Sequence, residues 1–358
     1  MRVGLLIYGS LDTLSGGYLY DRKLVSHLRD VGDDVEIISL PWRNYAAHLT
    51  DNFSAALLRR LAGSRFDVLV QDELNHPSLF LLNQRLRKRV HYPIVSIVHH
   101  LRSSELRPTW QNNFYRSPER AYLDSVDGFI FNSQTTRGVV EGSLGESRPH
   151  VVAYPAGNRL DPQIGDADIF TRAYASQPFK VVFLGSVIRR KNLHMLLDAL
   201  ALLDESWQLT VVGNLDVEPA YVRCIRQQVA RLGLDEKVSF AGALNDEPLK
   251  AVLRDSHVLA LPSSYEGFGI AYLEGMGYGL PAIGSTAGAA HEIITDGVDG
   301  FLVGPRDAET LASYLEGLIK DTKKLTKMSF AARERYLAHP TWQDSAKKIR
   351  SFLSETRR

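Results

Sequence analysis

What most constrains this chain is the way its apolar residues are bunched. Short stretches that are apolar on successive residues alternate with helix-like segments along most of the sequence. In the first half they are Val3–Tyr8, Val35–Leu40, Asp67–Val70, Ile94–Val98, Gly128–Phe131 and Val151–Ala153. Unbroken hydrophobicity marks strands covered on both faces, and helical connections between such strands give a doubly wound parallel sheet. A looser stretch from about Ala156 to Pro178, with Pro162, two glycines and few large aliphatics, reads as a linker. The pattern then restarts at Lys180–Leu184, Gln208–Val212, Val238–Phe240, His257–Leu261, Pro281–Ile283 and Phe301–Val303. A length of 358 residues is comfortable for two cores. The expectation is therefore α/β, with two Rossmann-like doubly wound parallel-sheet domains facing a cleft. Residues 1–163 with 340–358 form the first, and residues 164–339 the second.

Two helices refine this reading. Leu193, Leu196, Leu197, Leu200 and Leu203 share one helical stripe, with Asn192 as N-cap. Trp342, Ala346, Ile349 and Leu353 share another, and that last helix is expected to cross back onto the first domain.

Composition removes several function classes. A formal net charge of +1 lacks the basic field of a dedicated nucleic-acid binder. The one cysteine, Cys224, excludes an intrachain disulfide and a cysteine-rich metal site; its neighbours Val222, Ile225 and Val229 place it in or beside the core. The apolar runs fall far short of a membrane span of about 20 residues. The opening MRVGLLIY lacks the pattern of a signal peptide, so a cytoplasmic enzyme is expected. A basic run (Arg85, Arg87, Lys88, Arg89) and the mildly amphipathic Leu57–Leu61 leave weak peripheral contact with the inner membrane face open. Solvated helix ends are the plainer account of them.

The most informative segment is LPSSYEGFGIAYLEG, Leu261 to Gly275. A buried strand ends, a loop carries Tyr265 and Glu266, and Gly267-Phe268-Gly269 opens a helix that carries Glu274. Glycines let a ligand approach the backbone, and the free N–H groups of a first helical turn suit a phosphate. One carboxylate can meet the sugar side of a ligand while the other accepts hydrogen bonds from a ribose.

Two glutamates separated by seven residues around Gly-Phe-Gly resemble the signature of retaining GT-B glycosyltransferases of family 4. The resemblance extends over nearly the whole chain. It takes in Gly16-Gly17, FNSQTTR, FLGSVIRRKN and GSTAGAAHEIITDGVDGFLV. It implies that Glu274 binds the nucleotide ribose and that Glu266 lies beside the donor sugar and diphosphate. Gly185, Ser186, Tyr265, Gly267, Phe268 and Gly269 then line the donor site. No metal and no cofactor are expected, so Lys191 with a neighbouring arginine must stabilise the leaving diphosphate. Gly185-Ser186 stands where the family commonly has Gly-Arg, and Asn192 where it often has glycine. Arg190 or Arg189 is expected to replace the missing arginine.

His99, in the pair His99-His100 after an N-domain strand, matches a family histidine near the donor sugar, where a neutral imidazole can bond a hydroxyl. Gly16-Gly17 lies in a loop that lets backbone approach the diphosphate or acceptor. Asp166-Ala167-Asp168 looks like a metal-binding triplet of another fold but lies in the expected linker, and is read as incidental.

The expected activity is sugar transfer from a nucleoside diphosphate sugar to an unidentified hydroxyl acceptor: a sugar, a lipid-linked sugar or a small molecule. A nucleotide-sugar epimerase-type isomerase and a non-catalytic nucleotide-sugar binding protein are the alternatives.

Overall fold

Residues apolar toward both faces of a pleated ribbon must be covered on both, and the unbroken runs become the strands of two parallel sheets. The computed structural model describes residues 1–105, 107–175 and 178–357. The chain divides into two compact units, Met1–Pro155 with Pro340–Arg358, and Ala156–His339.

In the first unit the strands are β1 (Arg2–Tyr8), β2 (Asp34–Leu40), β3 (Val68–Asp72), β4 (Ile94–Val98), β5 (Gly128–Phe131) and β6 (His150–Val152). Their order is β2-β1-β3-β4-β5-β6, every pairing parallel. The winding reverses between β1 and β3, the place where such sheets bind ligands. The closing helix Trp342–Thr356 belongs to this unit and buries Trp342, Ala346, Ile349 and Leu353. Ser345 Oγ donates to Tyr154 O at 2.5 Å and Lys348 Nζ to Val152 O at 2.8 Å, tying that helix to the end of β6.

The second unit contains β7 (Phe179–Leu184), β8 (Trp207–Val212), β9 (Val238–Gly242), β10 (Val258–Ala260), β11 (Ala282–Ser285) and β12 (Gly300–Val303). Their order is β12-β11-β10-β7-β8-β9, again all parallel. Here the winding reverses between β7 and β10. The helix Leu193–Ala201 buries Leu193, Leu196, Leu197 and Leu200, each worth about 1.5–3 kcal/mol.

Several expectations need correction. The first boundary falls after Pro155, not after residue 163, because residues 156–162 pack on the second unit. The supposed linker holds a helix, Asp166–Ala173, whose Ile169 is buried and whose Arg172 donates to Tyr278 O and Gly279 O at 2.9 Å. Asp168 accepts the Gly165 N–H at 2.7 Å, so Asp166 and Asp168 are ordinary first-turn residues of that helix. Cys224 is exposed: the stripe of helix Pro219–Arg231 runs through Tyr221, Val222, Ile225 and Val229, and position 224 falls off it. Gly16 and Gly17 are the first residues of helix Gly16–Asp30, capped by Ser15, rather than loop.

Leu58 and Leu61 face the core, which turns the apolar side of the 57–61 segment inward. In the basic run, Arg85 donates to Asn52 O at 3.0 Å and Arg87 pairs with Asp127. Among the described residues no helix is long and apolar enough to cross a membrane.

Candidate functional site

At the reversal point of the second sheet, the chain leaves β7 through Gly185 and Ser186 and turns at Arg189–Lys191. The loop after β10 is stapled onto that turn. Ser264 N–H donates to Arg190 O at 2.7 Å, and Arg190 Nη1 donates to Tyr265 O at 2.8 Å. Asn192 has φ 62° and its side-chain amide donates to Pro262 O and Pro305 O at 3.0 and 2.9 Å. Asparagine tolerates this left-handed conformation, which explains how it can stand where glycine is usual. Its side chain therefore holds two loops together and does not cap the following helix.

Within this frame Lys191 Nζ lies 2.5 Å from Glu266 Oε2, and Arg190 Nη1 lies 3.7 Å from the same oxygen. Ser263 Oγ donates to it at 3.1 Å. Burial pushes the Glu266 carboxyl up, but Lys191, then Arg190, outweigh it and hold the group at about 2. Burial also pulls the Lys191 ammonium below its ordinary range, against the attraction of Glu266. Arg189 lies elsewhere, 5.5 Å over the Tyr221 ring, so Arg190 is the arginine that joins this cluster.

The helix Ile270–Gly277 begins from Gly269, whose φ of 105° strains any L side chain and whose Cβ would lie 2.4 Å from the Tyr272 ring. Its N-cap, Gly269, has no side chain with which to cap the first turn. Gly267 and Phe268 are buried at the same bend. Glu274 is 6% exposed, and its Oε1 accepts from Arg159 Nε at 2.9 Å. Burial raises its pKa, with Arg159 opposing.

In the first unit, His99 follows β4 and Gly17 packs against it, leaving 3.2 Å between a Cβ there and the ring. His99 Nε2 lies 3.6 Å from Oδ1 of the fully buried Asp21. Burial lowers the His99 pKa, but Asp21, then Asp72 and Glu73, reverse this and raise it above the ordinary value.

Residues 166–335 match the family of glycosyl transferases group 1. The MMP alpha-(1->4)-mannosyltransferase of Mycolicibacterium hassiacum is 25% identical, over 97% of this chain and 96% of its own length. Sucrose-phosphate synthase from Thermosynechococcus elongatus matches in fold with a TM-score of 0.85 at 20% identity, covering 99% of this chain and 98% of that one. Anabaena HepE in complex with UDP-glucose matches with a TM-score of 0.77 at 21% identity, covering 99% and 100%. The chain is a GT-B glycosyltransferase.

The group 1 match in this glycosyltransferase includes Lys191, Glu266 and Glu274 but not Arg159. Arg159 escapes sequence reasoning because it stands in a Gly- and Pro-containing stretch. The available signal is indirect: a glutamate inside the apolar run IAYLEGMG needs a cationic partner. Asp21 is also unforeseen, although it lies on the buried stripe of Leu24, Val25 and Leu28, where an aspartate demands explanation.

Among the described residues, two groups of the first unit bring three ligand-type atoms within 4.8 Å of one another: Asp21, Asp72 and His99, and Glu73, His76 and Glu119. The second group is held largely by residues outside it. Glu119 accepts from Arg102 N at 2.7 Å, and His76 faces Glu73 Oε1 at 3.0 Å and the Tyr45 hydroxyl at 3.1 Å. The first holds the Asp21–His99 pair.

Proposed function

We propose that this protein is a retaining glycosyltransferase of family 4, moving a hexose from a nucleoside diphosphate sugar to a hydroxyl acceptor without a metal ion. The observation that carries the reading is the cluster of Lys191, Arg190 and Glu266 at the β7/β10 reversal. Two cations there, beside a helix start whose N-cap is Gly269, suit a diphosphate. Charge grows on that group as the sugar leaves, so fixed cations stabilise the transition state more than the ground state.

Glu274 accepts hydrogen bonds from the pentose, and Gly185, Ser186, Tyr265 and Gly267–Gly269 line the donor site. Glu266 sits beside the donor sugar. A carboxylate held at about 2 and bound to an ammonium is a poor nucleophile, which favours same-face attack over a covalent intermediate. The bond from the anomeric carbon to the diphosphate breaks, the bond to the acceptor oxygen forms, and the leaving phosphate oxygen takes the acceptor proton. Protein groups then position and stabilise charge. The acceptor side is assigned to the first unit, with Gly16 and Gly17 as backbone near the diphosphate or the acceptor and His99 as the histidine near the donor sugar.

Isotope-labelled nucleoside diphosphate sugars offered with a panel of hydroxyl acceptors, in the presence of a chelator, test this. The expected product keeps the donor's anomeric configuration by proton NMR. Inversion, interconversion of the donor alone, or dependence on added metal would overturn it.

A further inference from the structure

Residues 156–162 run along the helix Ile270–Gly277 in backbone contact. A Cβ on Gly157 would lie 2.6 Å from Leu273 Cβ and 2.7 Å from the Leu273 carbonyl carbon, and one on Gly277 would lie 2.9 Å from Pro162 Cγ. Ala156 and Leu160 are buried. A segment pressed down at both ends has little freedom, and it delivers Arg159 to one place. Its Nε donates to Glu274 Oε1 at 2.9 Å and its Nη1 to Asp246 Oδ1 at 2.5 Å. Among the described residues Glu274 Oε2 has no hydrogen bond, so one oxygen is fixed and the other uncommitted.

The geometry points to Arg159 as the positioning residue of the pentose site, keeping Glu274 ionised and turned so that Oε2 meets the ribose hydroxyls. This rests on the reading that Glu274 binds the pentose. The physical need is plain: an ionised carboxylate accepts from two hydroxyls, and such charge-assisted bonds are the strong ones. Burial works against that charged form, and Arg159 is the cation that opposes it. The other titratable groups near Glu274 are Asp246, which raises its pKa further, and Tyr336 from helix Thr322–Ala338. The paired Arg159 also holds Asp246, so its two-pronged guanidinium balances two acids at once.

Binding of UDP, GDP and ADP, each with its 2′-deoxy counterpart, tests the assignment by calorimetry from pH 5.5 to 8. Wild type is expected to prefer the ribose form at every pH. Arg159→Ala should lose about tenfold or more of that preference at the acid end of the range and recover part of it toward the alkaline end, since burial raises the Glu274 pKa and Arg159 no longer opposes it. Arg159→Lys should retain an intermediate preference, and Glu274→Gln should lose it at every pH. Circular dichroism of the ligand-free variants reads folding separately, and if Arg159→Ala fails to fold, Arg159→Lys decides. Wild-type preference and a flat pH profile in the folded Arg159 variants, with the preference lost in Glu274→Gln, would overturn the role of Arg159 alone. An unchanged preference in Glu274→Gln would instead overturn the pentose reading beneath it.

Discussion

Lys191 Nζ and Glu266 Oε2 lie 2.5 Å apart, although 75 residues separate them in the chain. Both groups are largely enclosed, so removing one leaves the other charged in a poor solvent, a loss of about 3–5 kcal/mol in buried pairs. Arg190, 3.7 Å from the same oxygen, keeps part of the compensation when Lys191 is removed. Lys191→Ala is thus expected to lower unfolding free energy by about 3 kcal/mol in urea titrations. Its kcat should fall about 10²–10³-fold, as for loss of a charge-stabilising group. An unchanged kcat in a folded variant would remove Lys191 from the transfer step.

The first unit should lose stability as pH rises through neutrality. Burial, joined by Asp21, pushes Asp72 up to about 7. Burial likewise pushes Glu73 to about 8 and, joined by Glu73, Glu119 to about 7. Folded values above the unfolded ones mean that the folded state binds more protons. Their contribution is present below the unfolded carboxylate range and is lost as pH climbs through the folded values of about 7 and 8. Melting temperature should be higher at pH 6 than at pH 8, and Glu73→Gln should reduce the difference. Glu266 acts oppositely: its contribution is present above the ordinary 4.5 and disappears as pH falls toward about 2.

Gly157→Ala tests the packing of residues 156–162. The added methyl meets backbone at 2.7 Å, and overpacking of this kind costs about 1–3 kcal/mol. Lifting the segment also displaces Arg159. A lower melting temperature together with weaker nucleoside diphosphate binding is expected. Normal binding would show that the segment does not set the site.

Cys224 should react with a thiol reagent in the native protein without denaturant, since it is exposed. Cys224→Ser should change stability by no more than about 0.5 kcal/mol. Protection from the reagent would contradict the placement of helix Pro219–Arg231.

Legibility in the sequence followed burial. β4 and β5 agree to the residue with their apolar runs, whereas β3, equally covered, runs Val68–Asp72 and not Asp67–Val70, because its last two residues, Gln71 and Asp72, are polar. The helix stripe from Leu193 and the closing helix from Trp342 were equally readable, since each buries one continuous face. Residues 156–175 depart from the linker expectation because glycine and proline signal both a flexible linker and a tight backbone contact, and sequence alone cannot tell Gly157 from a loose hinge; residues 176 and 177 lie outside the described residues. Cys224 was misread because its apolar neighbours lie around the helix from it. In the site, Glu266, Glu274 and Lys191 were visible one by one. Their partners were not: the Lys191–Glu266, Arg159–Glu274 and Asp21–His99 pairs join distant elements and leave no periodic trace.

Calorimetric titration of UDP-, GDP-, ADP- and dTDP-sugars into wild type and Lys191→Ala tests donor capture by this cluster most directly. At least one should bind wild type, with affinity falling about tenfold or more in the folded variant. Binding of none of them, or equal binding by both proteins, would contradict the account.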